Sequence, residues 1–423
     1  GTGEGDTGSV GIYKLNGTGT ITTTGGNNWT VGNNGYGIFL NQNTGQSASI
    51  TNNADMALGT SSVGIFSNGL NTVNNTGNIT VGATDVQGDH NNVQAHLNSV
   101  GMYITGGTVA TSSGTITVNH DHSVGVYASG TGTSFTNTGT INIDSGGVGI
   151  IVRDGAEAIN AVGANINLGG TLASCGAITV GMSAGMGSSI INNGTITVNE
   201  GAGMLVVTGA TFKNNGTIVV NNGVGIEGIG STVNAGHIIV NGGAAVGTGG
   251  LATAQVGAVE IKPDGTIKIN GNYVAIGGTL STAGNIIVDG AYVDVTTGTP
   301  LFNANSVSGE VKILSNFATT GNGRTYEIEG FVNTAMGTIT GTKLTPVTSP
   351  LFIAKVTDKG SLVIAKRDYN DMTLGKQFEE QYKGLDNIFK DSDGKGRDGE
   401  ILKSLNKYLN DTYLNDPSGA DFE

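Results

Sequence analysis

The chain of 423 residues contains one cysteine, Cys175, and five prolines. A single thiol cannot make an internal disulfide, so stability has to come from packing. The prolines all lie late, from Pro263 to Pro417. Charged residues make up 12% and aromatics 5%, which excludes both a charged disordered chain and a conventional large core. No run of about 18 apolar residues occurs, so no segment is expected to cross a membrane as a helix. Cations are scarce at first: before Glu260 there are only Lys14, Arg153 and Lys213. The net charge of −13 argues against a nucleic-acid partner and against polybasic contact with a membrane.

What is abundant is glycine, 74 residues, without a collagen period, together with Thr, Asn, Val and Ile. These residues are organised into a recurring phrase. It reads Asn75-Thr76-Gly77-Asn78-Ile79-Thr80-Val81, Ser113-Gly114-Thr115-Ile116-Thr117-Val118 and Thr138-Gly139-Thr140-Ile141-Asn142-Ile143. It returns around Ile196, Ile218 and Ile286. The spacing is mostly about 20 to 30 residues, the range of solenoids. Within a copy the apolar period is two, which marks a short strand with one buried face.

A second phrase interleaves with the first: Val10-Gly11-Ile12-Tyr13, Tyr36-Gly37-Ile38-Phe39, Val63-Gly64-Ile65-Phe66, Val100-Gly101-Met102-Tyr103 and Val124-Gly125-Val126-Tyr127. With a weaker third stretch such as Ser134-Phe135-Thr136-Asn137, the pattern predicts an all-β solenoid, a right-handed parallel β-helix of three strands per coil. Counting from Trp29 to Val288 gives about eleven coils. Asn75, Asn193 and Asn215 are expected to form a side-chain amide ladder. An inserted loop is expected at 82–98, and the register blurs between Asp154 and Ser174.

The expected organisation is a β-helix stem over 1–290, a β-rich cap over 291–367 and a helical segment over 368–423. The cap is needed because a stacked array must close its open end. In the last segment Leu374, Phe378, Tyr382, Leu385 and Phe389 fall at helical steps.

A Gly/Asn/Thr-rich β-helix followed by a β cap and a helical segment resembles the passenger of a classical type V autotransporter. The run from Lys366-Arg367-Asp368-Tyr369 to Asn387-Ile388-Phe389 and the Val-Gly-Ile-Tyr/Phe phrase are similar to large fusobacterial autotransporter adhesins. The resemblance implies a non-enzymatic adhesin stem on the bacterial surface, with an autochaperone-like cap and a linker to an outer-membrane barrel that does not follow Glu423 here. The sequence is accordingly read as a fragment of something longer. The partner implied is a protein or glycan receptor on another cell. Alternatives are a carbohydrate-active β-helix enzyme and a pure spacer whose recognition lies upstream.

Chemistry-bearing residues are sparse, and no cofactor is expected. Gly5-Asp6-Thr7-Gly8-Ser9 has a threonine where a protease nucleophile would stand. Arg153 and Asp154, with Asp121 and Asp144 in earlier coils, form a weak lyase constellation. His120 and His122, expected two apart on one strand face, and His90 and His96 near the inserted loop are weak metal candidates. Asp391-Ser392-Asp393-Gly394-Lys395-Gly396 resembles a calcium loop, but Lys395 takes a ligand position. Trp29 aligns with Ile79 and should point inward. Tyr13, Phe39, Phe66, Tyr103 and Tyr127 hold one position in successive copies, and Glu227 holds it later. That charged occupant suggests an outward position, and hence an external aromatic stripe for binding a partner.

Overall fold

The computed structural model of the chain describes residues 9–84, 99–144, 146–170, 178–207 and 209–228. From 232 onwards it describes the strands up to 366 together with residues 236, 357–361, 383, 384 and 404. The chain forms two compact units: residues 1–238 with 244–257, and residues 239–243 with 258–423.

In the first unit each of the first eight coils contributes one strand to each of three parallel sheets. The fifth coil, for example, comprises Val124–Ser129, Ser134–Asn137 and Thr140–Ile143. The first sheet has ten strands, from Val10–Leu15 to Ala244–Gly247, and the second has eight, from Thr20–Thr22 to Thr211–Asn214. Within this unit the third sheet runs over eight described strands from Asn28–Val31 to Thr217–Val220. Equivalent residues pair coil upon coil: Ile116 lies beside Ile79 and Ile141, and Tyr103 beside Phe66 and Tyr127.

Alternation explains the second and third sheets. In Thr115–Val118 the two apolar residues are buried and the two threonines are not. The first sheet breaks that rule. In Tyr36–Asn41 both Gly37 and Ile38 are buried, while Tyr36 and Phe39 are half-buried. Two consecutive inward residues bend the strand, and glycine is required at the bend. A Cβ on Gly37 would stand 2.6 Å from the carbonyl oxygen of Gly64, and one on Gly125 2.5 Å from that of Gly149. The core is built from the inward residues of all three sheets, such as Val126, Phe135 and Ile141, each fully buried. Each such aliphatic or aromatic side chain contributes about 1.5–3 kcal/mol.

Buried polar ladders close the corners. At the end of the second sheet the Asn52 Nδ2 donates to Asn75 Oδ1 at 2.7 Å, and Asn75 Nδ2 to Ser112 Oγ at 3.0 Å. Further along, Asn137 donates to Asn160 at 2.9 Å, Asn160 to Asn192 at 2.8 Å and Asn192 to Asn214 at 2.8 Å. This corrects the expected ladder by one residue. Asn75 is stacked in register with Asn52 and Ser112, and Asn192 with Asn160 and Asn214. Asn193 and Asn215 belong to a separate, exposed rung, in which Asn215 donates to Asn193 at 2.9 Å. The reason is packing: the last residue of each second-sheet strand points inward, where an amide can survive only if it is bonded on both sides.

The expected blur between 154 and 174 is not found over 154–168. Glu157–Asn160 and Asn165–Leu168 are paired in register on both sides. The extra length falls after Leu168, where 171–177 lie outside the described residues. Of the expected loop at 82–98, Gly82 to Thr84 are described and 85–98 are not.

In the second unit parallel pairing persists, but two rows merge. The nine-residue strand Ser306–Leu314 pairs through Ser306–Ser308 with Thr279–Ser281, and through Val311–Leu314 with Ile286–Asp289. Lys343–Thr348 pairs parallel with the same strand, and its Pro346 is tolerable because no other described strand pairs there. Antiparallel pairing then appears: Leu362–Lys366 lies between Thr325–Ile328 and Phe352–Val356. The hairpin turn from Thr357 to Ser361 uses Gly360 at φ 82°, the usual device for a bulged turn. Nearly all of the expected helical segment, 368–423, lies outside the described residues.

The inner amide ladder should carry more stability than the outer one. Asn160→Ala removes a donor and an acceptor from a buried row and should cost about 1–3 kcal/mol. Asn193→Ala should fall within about 0.5 kcal/mol. Chemical denaturation followed by circular dichroism distinguishes the two, and equal effects would mean that the buried ladder contributes nothing special.

Candidate functional site

The glycine bend in the first sheet decides which side chains face out. Because Gly37 and Ile38 both turn inward, Phe39 and its equivalents emerge on the outer surface. Coil-to-coil pairing then places Tyr13, Phe39, Phe66, Tyr103 and Tyr127 in one column. Consecutive ring centroids are 5.3, 4.6, 5.4 and 4.9 Å apart, with interplanar angles of 13°, 10°, 30° and 26°. Three of these contacts are stacked and Phe66–Tyr103 is tilted, at the separation that the strand repeat imposes. Tyr13 is 59% exposed, and the other four are half-buried.

Tyr36 belongs to the same surface, though sequence reasoning passed over it. Its ring meets Phe39 edge-on at 5.2 Å and 87°, and Phe66 at 6.1 Å and 84°. In a regular strand, residues three apart would lie on opposite faces. The Gly-Ile bend brings both out, so the signal was present in the Tyr-Gly-Ile-Phe phrase itself.

Stacking also limits what the column can do. Inner rings such as Phe39 and Phe66 have neighbours on both faces, so ring edges and the phenol groups are what face outward. Burial raises the Tyr103 and Tyr127 phenols, with the neighbouring Tyr127 adding to the first and Asp154 to the second. Both stay protonated near neutral pH and present neutral hydroxyls. Beyond Tyr127 the column continues through Ile151, Ser183, Leu205 and Glu227.

Glu227 corrects an expectation. It shares the column, but it is 2% exposed, and among the described residues its Oε1 has no hydrogen-bond partner. Burial pushes its carboxyl up to about 7. Its charge therefore does not mark an exposed position, although the outward setting of the aromatic members stands on their own exposure.

Residues 6–163 match the family model of the BigA third pectate lyase-like domain. The match spans less than half of the chain and includes all five aromatics of the column. No curated protein and no solved structure matches the chain. A pectate lyase-like domain agrees with three stacked parallel sheets, and the lyase candidates can be placed on that frame. Arg153 ends the strand Val148–Arg153, with Asp154 next to it accepting a bond from Ser129 Oγ at 2.7 Å. Asp144 precedes that strand, and Asp121 precedes Val124–Ser129. Asp121 and Asp144 thus lie at the opposite strand end from Arg153 and Asp154, roughly 20 Å away along six residues.

A cleft of about 310 Å³ at one edge of the third sheet is lined by Asn119, Asn142, Asp144, Asn167 and Asn199 among others. Its amides bond to one another, Asn167 to Asn142 at 3.0 Å. Among the described residues no three His, Cys, Asp or Glu side chains come together as a metal would require.

The histidine expectation changes too. His120 and His122 lie in the turn before Val124–Ser129, not on a strand face. His122 has φ 58° and sits two residues before its strand, like Asn34, Ser61 and Gly146, all with positive φ. Its Nδ1 is 2.7 Å from Asp121 Oδ1. The corner needs a left-handed residue, and that conformation sets where this histidine points. Trp29 pairs in register with Met56, which in turn pairs with Ile79, both buried, so the indole faces the core side. His90, His96, residues 1–8 and the 391–396 segment lie outside the described residues.

Glu227 yields a pH dependence of known sign. Its folded-state pKa lies above the usual carboxylate value, so below about pH 4.5 both states are protonated. As pH rises towards 7 the unfolded chain loses its proton first, and stability falls. Thermal unfolding midpoints should therefore drop between pH 4.5 and 7, and Glu227→Gln should flatten that drop and raise the midpoint at pH 8. An unchanged profile in the variant would place the carboxyl in water.

Proposed function

We propose that this chain is the membrane-proximal part of a secreted autotransporter passenger, a right-handed β-helix displayed on the bacterial surface and held there by an outer-membrane barrel. Its role is adhesion by non-enzymatic binding, as in the fusobacterial adhesins it resembles. The observation that carries this reading is the outward aromatic column on a stack that holds its register from coil to coil. The similarity of residues 6–163 to a BigA pectate lyase-like domain supports the β-helix.

The receptor is a protein rather than a glycan that stacks on aromatic rings. Sugars bind aromatic side chains through open ring faces, and here the inner faces are taken by neighbouring rings. Ring edges, which carry the positive end of the quadrupole, and neutral hydroxyls suit an amide-rich protein surface. A second reading, a carbohydrate-active enzyme, draws on the pectate lyase-like match and on the cleft beside Asp144. The scattering of Arg153 from Asp121 and Asp144 weighs against it.

The test is binding of the purified chain to bacterial and host cells, alongside a variant with Tyr13, Phe39, Phe66, Tyr103 and Tyr127 all changed to Ser. Saturable binding that drops at least about tenfold in a folded variant is the expected result, corresponding to one or two lost aromatic anchors. Release of oligosaccharides from a polysaccharide panel would favour the enzyme instead. Absence of both would make the chain a spacer.

A further inference from the structure

Among the described residues the aromatic column lies on the outer surface, with Tyr13 exposed and the other four half-buried, and its geometry limits what fits it. Of the three sheets, only the first presents large apolar side chains outward in every early coil. Val10, Tyr13 and Leu15 are 38%, 59% and 49% exposed in the first strand, and Phe39, Phe66, Tyr103 and Tyr127 continue the row. In the same coils the second sheet presents mostly Thr, Ser and Asn outward, with Val109, 51% exposed, as the exception. From the second to the fifth coil the first-sheet strands carry no carboxylate, guanidinium or ammonium group; in the first, Lys14 pairs in register with Leu40 and its Nζ donates to the Thr18 carbonyl.

The row is also periodic. Its rings repeat at 4.6–5.4 Å, the spacing of stacked strands. A partner with a different spacing meets one or two rings well and the rest badly. A surface with the same repeat meets all five in the same way. Among the described surfaces, the one with that repeat and that apolar character is this face itself, so it is matched by the same face of a second copy. Two such faces related by a two-fold axis are self-complementary, because every contact occurs twice.

We infer that the outer face of the first sheet pairs with the same face of a second copy of this chain, with the column Tyr13, Phe39, Phe66, Tyr103 and Tyr127 of each at the centre. The inference builds on the adhesion reading and names one partner for it. Its strength can be bounded. Five rungs of about 4.8 Å and a strand of six residues give a patch of roughly 24 by 20 Å. That is about 480 Å² on each copy and about 960 Å² in total, just under the roughly 1,000 Å² that a stable interface should clear. The pairing is therefore weak in solution, and it strengthens when many copies face one another on two cells. With a net charge of −13 on each chain, repulsion opposes pairing at long range, so added salt should strengthen it.

The experiment is sedimentation of the whole 423-residue chain over a range of concentrations at low and high salt. Circular dichroism is recorded on every sample. The weight-average mass should rise from one copy towards two with concentration, and more steeply at high salt. Tyr103→Lys puts two like charges near the two-fold axis and should remove the rise, as should the five-fold Ser variant. Thr136→Lys, outward on the second sheet, should keep it. A mass that stays at one copy throughout, or a rise that survives both first-sheet changes in folded protein, overturns the inference. The cell-binding assay separates the two ideas. Binding by a chain that stays monomeric sinks self-pairing and leaves adhesion standing, whereas self-pairing without cell binding supports the pairing and sinks the receptor reading.

Discussion

The whole first unit depends on one requirement: each residue must tolerate a copy of itself about 4.8 Å away. Parallel hydrogen bonding enforces that distance, and every column in the stack is a different answer to it. Isoleucine columns answer by filling the core, as Ile79, Ile116 and Ile141 do. Glycine columns answer where backbone approaches backbone, as at Gly37 and Gly125. Asparagine columns answer by bonding amide to amide in a place where an unpaired amide would be costly. Aromatic columns answer by stacking. Proline, which cannot donate to a ladder, has no place in such columns, and none occurs before Pro263.

The same requirement links stability to the candidate site. A ring column on a stacked sheet is held at its spacing by the backbone, so its members are pre-arranged before any partner arrives. Preorganisation has a consequence for specificity, since ring faces used against each other are not available to a ligand. The column is thus both a brace and a ridge, and the ridge is narrower in its chemistry than five exposed aromatics would suggest. Beyond Tyr127 the column alternates between half-buried Ile151 and Leu205 and buried Ser183 and Glu227, so its aromatic part is confined to the early coils.

Much of this was legible in the residues. The two interleaved phrases gave three strands per coil, because a period of two within a copy and 20 to 30 residues between copies leave few other architectures. The aromatic column was visible as one position repeated after Val-Gly-Ile. Less legible was anything that depended on a single-residue offset. The phrase aligns Asn193 with Asn75, although the inward amide is Asn192, because glycine follows the two phrases at different distances. Strict alternation hides Tyr36, three places from Phe39 on the same face. The charge of Glu227 suggests an outward position, whereas burial is set by what packs around the column, which composition does not encode. His122 looked like a ligand by spacing and is a corner residue by backbone conformation.

Register of the first sheet across the 85–98 segment is the claim from which the column, the brace and the ridge all follow. It can be measured by pairing cysteines in a chain whose Cys175 is changed to Ser. With Phe66→Cys and Tyr103→Cys, neighbouring strands place the two Cα atoms within disulfide range. This pair should oxidise readily in the folded chain, while Phe66→Cys with Ile104→Cys, one residue out of step and facing the core, should not. A bridge in the offset pair, or in neither, would contradict the stacked column on which the account rests.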